Sequence, residues 1–282
     1  GGGGGAGRRG QTSLYVLYLK ANSLVNTRLS RQDNSSNDQS SAALNQSALT
    51  DFSEEERACF EEIRQDPKCF ELLVHSLCPT IYGHEKVKAG LTLALFGGSP
   101  REGEIAVRSD IHMLVVGDPG LGKSQMLQAV NKVAPRSVYV GGNTASTTGL
   151  TVTLAKDGKR GDVGLEAGAL VLSDQGVCCI DEFDKMACDY HALLEAMEQQ
   201  QISIAKSGVV ASLSARCSVV AAANPVGGHY RRGRTLAENL RLSAALLSRF
   251  DLVCILLDRP DAAHDRKLSE HILRMHALAG GG

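Results

Sequence analysis

The sequence predicts an α/β fold, a parallel sheet flanked by helices, with β-hairpin insertions. Three observations carry that expectation. From Ile111 onward, short apolar runs of strand length alternate with helical stretches, as in sheets buried on both faces and joined by helical crossovers. The first of these runs passes through a glycine-rich turn straight into a helix. A further segment, 201–213, alternates apolar and polar residues with Ser207-Gly208 at the bend, which is the signal of a hairpin, and 151–166 sets a polar, turn-like centre between apolar flanks.

The elements follow in chain order. Residues 1–10 are glycine-rich and read as disordered. Residues 13–25 are β-rich and make one or two strands, and 26–50, mostly Ser, Asn, Gln and Asp, read as a linker. Asp51 opens a domain expected to run to residue 282. Its first helix has Ser53 three residues before Glu56, a capping-box spacing, and Pro67 breaks it. A second helix covers Lys68–Leu77. A third, Ile81–Phe96, ends at Gly97 and Gly98. Then come a strand at Ile111–Val116, a helix at Lys123–Val133 and a strand at Val138–Val140. Another strand region is bracketed by Gly168–Leu172 and Val177–Ile180. A helix follows over Asp189–Gln200, with Asp189 as its N-cap. The remainder reads as strand Val219–Ala223, helix Leu240–Leu247, strand Leu252–Leu257 and helix His264–Leu278.

Composition narrows the function. Aromatic content is 4% and Trp is absent, which disfavours nucleic-acid binding by base stacking. Net charge is −1, so any DNA contact needs a local cluster of Lys and Arg. Eight Cys occur without a C-x-x-C pair, which excludes a zinc ribbon and reads as a reduced, intracellular chain. Cys178 and Cys179 sit in an apolar run as small core side chains. No apolar stretch reaches the roughly 18 residues that span a bilayer, and no signal peptide is visible, so no membrane partner is expected. A start at Gly1 and glycine-rich ends suggest a fragment of a longer protein.

The strongest signal is Gly117-Asp118-Pro119-Gly120-Leu121-Gly122-Lys123-Ser124, a full G-x-x-x-x-G-K-[ST] match between strand and helix. Glycines let the backbone wrap a phosphate with its N–H groups inward, and the helix N-terminus adds a favourable dipole. Lys123 would neutralise the β- and γ-phosphates of ATP, and Ser124 would ligate Mg²⁺. Gln125, next on the helix, belongs to the same nucleotide-binding set.

The run Val177–Ile180 ends in Asp181 and Glu182. Desolvating two adjacent carboxylates is costly without a use for them. Asp181 would hold Mg²⁺ and Glu182 would act as general base. Read alone, the pair is equally a surface helix cap, with Asp184 a candidate for that role. The phosphate loop about sixty residues upstream favours catalysis. Val219–Ala223 ends in Asn224, placed to hydrogen-bond the γ-phosphate and the attacking water, or else a turn residue before Pro225. Arg249, between a helix and a strand, is either an arginine finger acting on a neighbour's site or a surface partner of Asp251.

Together these blocks resemble the AAA+ core of the minichromosome maintenance (MCM) DNA helicases. The resemblance rests on Ile180-Asp181-Glu182-Phe183-Asp184-Lys185-Met186, Ser248-Arg249-Phe250-Asp251, Ala221-Ala222-Ala223-Asn224-Pro225, Leu193–Gln200 and Ile81-Tyr82-Gly83-His84-Glu85. It covers roughly residues 79–275. It implies a P-loop AAA+ ATPase with Arg249 as finger, Tyr82 near the adenine, and ATP with Mg²⁺ as cofactors. Replicative members usually carry Ala where this chain has Gly122. That departure, with Gly227-Gly228-His229-Tyr230 and Ser243–Leu247, looks most like the eighth member, associated with recombinational repair.

The resemblance also places 151–166 as the family's helix-2 insert and 201–213 as its pre-sensor hairpin, both pointing into the channel of a ring. Lys206, near a hairpin tip, would then contact single-stranded DNA phosphate without reading sequence. Lys156, with Lys159 and Arg160, would assist or be an ordinary solvated charge. The implied partners are other MCM subunits, the ninth member among them, in a hexamer, and the implied compartment is the nucleus. Residues 1–25 resemble the end of an N-terminal OB-type domain, and the helical lid would follow residue 282. Two other readings share the fold: an AAA+ remodeller of a protein partner, and a non-catalytic ring scaffold.

Overall fold

The alternating runs resolve into a five-stranded, all-parallel sheet with two hairpins outside it. The computed structural model describes residues 52–99, 108–143, 147–156, 163–186, 190–206, 209–258 and 260–279, and those after Phe52 fall in one unit. The strands are β1 (Met113–Gly117), β2 (Ser137–Gly141), β3 (Val152–Lys156), β4 (Val163–Ala167), β5 (Gly176–Asp181), β6 (Gln201–Lys206), β7 (Val209–Ser214), β8 (Cys217–Ala223) and β9 (Leu252–Leu256). The helices are α1 (Glu54–Gln65), α2 (Cys69–Leu77), α3 (Glu85–Phe96), α4 (Lys123–Val133), α5 (Thr147–Leu150), α6 (Ala169–Leu172), α7 (His191–Gln199), α8 (Leu236–Leu240), α9 (Ala244–Leu247) and α10 (Ala262–Ala279). The expectations for residues 1–50 lie outside the described residues. No described helix is long and apolar enough to cross a membrane.

Sheet order is β2-β5-β8-β1-β9. The chain runs outward from β1 to the β2 edge, works back through β5 and β8, and finishes with β9 on the other side of β1. β1 is therefore the switch point, and ligands of open α/β sheets bind beyond the carboxyl ends of strands at such a point. β1 and β8 are buried along their whole length, because both faces are covered. Leu114, Val116, Cys178, Ile180, Val219 and Ala221 pack into one core. Met113, Val115, Val177, Cys179, Val220 and Ala222 pack into the other. The adjacent cysteines thus serve opposite faces, and burial pushes both thiols up to about 12.

Helix starts follow local chemistry. The Ser53–Glu56 capping box forms with both of its hydrogen bonds, at 3.2 and 2.9 Å. Four expectations need correction. The helix expected from Ile81 begins at Glu85, because Gly83 and His84 both take positive φ. Gly168–Leu172 is the helical turn α6, not strand. Leu240–Leu247 splits into α8 and α9, because Arg241 sits in the left-handed region at φ 53°. The helix assigned to Asp189 begins at His191, and Asp189 itself lies outside the described residues.

One buried polar residue ties the sheet to its helix layer. His112, 2% exposed, accepts the Val219 N–H at Nδ1 (3.0 Å) and donates from Nε2 to the Met197 carbonyl (3.3 Å). This arrangement needs a neutral ring, and burial, aided by Arg108, lowers its pKa from 6.5 to about 4. Below 6.5 the unfolded chain binds a proton that the folded chain refuses until about 4. Acidification through that window should remove about 3 kcal/mol of stability. Urea unfolding of wild type and His112→Asn at pH 7 and pH 4.5 checks this. The wild type should lose more on acidification than the variant.

Candidate active site

Three segments leave the carboxyl ends of β1, β5 and β8 at one edge of the sheet. The first is the glycine-rich loop. Gly122 takes φ +76°, and a Cβ there would meet Ile81 Cδ1 at 2.6 Å. A larger residue at 122 would be strained and would displace Ile81. Lys123, 6% exposed, donates to the carbonyls of Gly117 (2.7 Å) and Asp118 (2.6 Å). Burial lowers its pKa, and Asp118, then Asp181 and Asp184, oppose that shift. The loop's lysine and the acidic block therefore share one electrostatic site. Ser124 and Gln125 open α4 with exposed side chains, and Pro119 and Gly120 expose the loop crest.

The second segment is the acidic block. Asp181 accepts the Tyr139 hydroxyl at Oδ2 (2.7 Å) and the Glu182 N–H at Oδ1 (2.9 Å). Glu182 takes φ 51°, a conformation non-glycine residues adopt mainly where surrounding structure imposes it. Its carboxylate accepts from Lys185 Nζ at Oε1 (2.7 Å) and from Asn143 Nδ2 at Oε2. Asn143 reaches it because β2 runs beside β5 and the chain closes in at Gly142, whose absent Cβ would lie 2.1 Å from the Glu182 carbonyl oxygen.

The third segment follows β8. The Asn224 N–H donates to Asp184 Oδ1 (2.8 Å), so Asp184 fastens the strand end and does not cap a surface helix. The Asn224 side chain is half-buried. Farther on, Asp118 Oδ1 accepts the Tyr230 N–H (3.0 Å), with His229 Nδ1 at 3.6 Å from Oδ2. Asp118 thus fixes the glycine-rich loop to the loop after β8.

Other site residues lie elsewhere. Arg249 pairs with Glu198 on α7 at 2.7 Å, whereas Asp251 takes both guanidinium nitrogens of Arg108 at 2.7 and 2.8 Å and the His112 N–H at 2.8 Å. The Arg249–Asp251 pair weighed from sequence does not form. The Arg249 Nε is buried and has no hydrogen-bond partner. Phe250 is in the core, its ring edge-on to Phe183 at 5.9 Å and 89°. Tyr82 stands 5.5 Å from the His271 ring of α10. Both expected hairpins form, β3 with β4 and β6 with β7. Lys156 pairs in register with Val163, and Lys206 with Val209.

Sequence reasoning missed Tyr139, Asn143, Lys185 and the structural use of Asp118. The signal for the first two was the polar ending of the run Val138–Asn143, a strand placed beside the acidic one.

The donors fit a nucleotide with a hard divalent cation. Hydroxyl and carboxylate oxygens suit Mg²⁺, and Ser124 and Asp181 would hold it together with the phosphates. No group of three or more His, Cys, Asp or Glu among the described residues forms a metal cage. Burial, then the Asp181 contact, raises Tyr139 to about 12, so its hydroxyl stays a donor that orients the carboxylate. Tyr139→Phe should raise the Mg²⁺ concentration for half-maximal ATP turnover by on the order of tenfold, as loss of a partner behind a metal ligand does. A Mg²⁺ titration reads it.

Comparison with known proteins agrees with this geometry. Residues 56–276 match the MCM P-loop domain. The chain is 57% identical over 280 residues to DNA helicase MCM8 of Xenopus tropicalis, covering 98% of this chain and 33% of that protein. It is 56% identical over 277 residues to DNA helicase MCM8 of Homo sapiens, covering 97% and 32%. It is 62% identical over 234 residues to DNA helicase MCM8 of Bos taurus, covering 82% and 29%. The chain therefore spans about a third of the length of these curated relatives. With a parallel sheet, a glycine-rich loop at its switch point and a profile match across most of its length, the chain belongs to the MCM family of P-loop proteins.

Proposed function

We propose that this chain is the ATP-hydrolysing core of a DNA helicase or translocase, one subunit of an MCM-like ring acting in the nucleus in recombination repair or replication. The observation that carries the reading is the convergence of Lys123, Asp181, Asp184 and the Asn224 strand end at one sheet edge. The name DNA helicase, borne by relatives over half identical to this chain, supports the DNA-directed part.

In the mechanism, ATP binds between subunits. One subunit supplies the 117–125 loop, with Tyr82 toward the adenine. Lys123 exchanges its loop carbonyls for phosphate oxygens. Mg²⁺, when bound, offsets phosphate charge. Glu182 takes the proton of the attacking water, and Asn224 orients that water and the γ-phosphate. The neighbour, another MCM subunit such as the ninth member in a hexamer, supplies Arg249. Among the described residues the Arg249 side chain is held by a half-exposed ion pair, worth little and easily exchanged. Hydrolysis shifts the subunits, and the β6–β7 hairpin, with Lys206 at its end, draws a single strand of DNA. Lys156 stands at the end of the other hairpin.

The test is ATP turnover with and without single-stranded DNA, in the presence of the partner subunit. Lys123→Ala should abolish turnover, and Lys206→Ala should lose only the DNA stimulation. Turnover indifferent to DNA would favour a remodeller of proteins, and no turnover in wild type a scaffold.

A further inference from the structure

The chain's net charge of −1 conceals a strongly basic stretch. Between His229 and Arg241 stand four arginines, at 231, 232, 234 and 241, against one acid, Glu238. All four arginines are exposed. None makes an ion pair among the described residues. Glu238 instead accepts the Thr235 N–H at 2.8 Å in a capping box that opens α8.

The turn carrying three of them is rigidly built. Asn239, 2% exposed, accepts the Arg231 N–H at 3.0 Å. Its Nδ2 donates to the carbonyls of Arg231 (3.0 Å), Arg234 (3.3 Å) and Thr235 (3.0 Å). The Arg234 N–H closes on the Arg231 carbonyl at 3.1 Å. One buried amide thus fixes the backbone while the guanidiniums stay uncommitted. A fixed backbone lessens the ordering cost of binding, and the planar guanidinium matches phosphate oxygens in pairs.

Two observations choose the ligand. No large hydrophobic residue is exposed between Val210 and Val253. A protein-docking surface has an apolar centre, whereas phosphate neutralisation needs none. The same segment is also fastened to the nucleotide loop, through the Tyr230 N–H on Asp118 at 3.0 Å. A grip placed here moves with the loop that senses ATP.

We propose that Arg231, Arg232 and Arg234 form a further contact surface for the phosphodiester backbone of single-stranded DNA, distinct from the two hairpins. The proposal rests on the DNA-translocase reading above. Its test is a titration of fluorescein-labelled oligothymidylate over a salt series, wild type beside the triple variant Arg231→Gln, Arg232→Gln, Arg234→Gln. Each single-strand phosphate contact contributes roughly 0.7 to the slope of log affinity against log salt, so the triple variant should lose about 2 from that slope and bind about tenfold or more weakly at low salt. Its DNA-free ATP turnover should match wild type, and the triple Arg→Lys variant should keep most of the slope, which separates charge from fold. An unchanged slope in the Gln variant, with wild type binding DNA, overturns the surface and leaves the translocase reading standing. A wild type that neither binds oligothymidylate nor is stimulated by it overturns both. Loss of binding to a polyglutamate probe, with DNA binding intact, makes the turn a protein-docking patch and also overturns the proposal.

Discussion

Arg249→Ala should lower ATP turnover by about a thousandfold or more, the range of arginine fingers supplied across an interface. Nucleotide binding should persist, since the residue is fastened to Glu198 on α7 and not to the glycine-rich loop. The sharper expectation concerns mixtures. Lys123→Ala chains should be inactive, because their phosphate loop is broken. Arg249→Ala chains should be inactive, because their finger is missing. Mixed together, an Arg249→Ala subunit with an intact loop meets a Lys123→Ala subunit with an intact finger, and that junction is wild type. Turnover should therefore reappear on mixing. Two preparations that stay inactive together, or a verified monomer with full activity, would refute catalysis across a subunit boundary.

Glu182→Gln should reduce turnover by about a hundredfold to ten-thousandfold, the usual contribution of a general base. The amide keeps the shape of the side chain and can still face Asn143 and Lys185, so folding should change little. Bound ATP should accumulate without being hydrolysed, which a filter-binding assay with labelled nucleotide reads directly. In the wild type both oxygens of Glu182 are hydrogen-bonded, one to an ammonium and one to an amide. These contacts hold the carboxylate in place. Removing the amide alone, in Asn143→Ala, should leave an active enzyme, in contrast to Glu182→Gln.

The sheet was legible because its strands are buried on both faces. Ile111–Val116, Val177–Ile180 and Val219–Ala223 read as continuous apolar runs, and each lies in or overlaps an observed strand. The glycine-rich loop was legible because its residue types are dictated by backbone geometry, as the φ of Gly122 shows. Element edges were less so. Ile81–His84 reads as part of the helix but is held in a turn, with the Lys88 ammonium donating to the carbonyls of Cys78 (2.9 Å) and Ile81 (2.7 Å). Pairings between distant segments were hidden for the same reason. Nothing local in Asp251 says that Arg108 lies beside it, and nothing in Tyr139 says that Asp181 does, until strand order is known. Sequence reasoning passed over the arginine turn, and its rigidity depends on Asn239, eight residues after Arg231.

The perpendicular rings of Phe183 and Phe250 join the acidic segment after β5 to the segment that carries Arg249. Phe183 follows Asp181 and Glu182, which the proposed mechanism assigns to a subunit's own nucleotide, and Phe250 follows Arg249, which it assigns to the neighbour's. Both rings are buried, and interiors at this density transmit displacement instead of absorbing it. On the proposed mechanism, a subunit assembled from this fold would work as an escapement. The state of its own nucleotide would then reach the next site through these two benzyl groups, as a change in where Arg249 points.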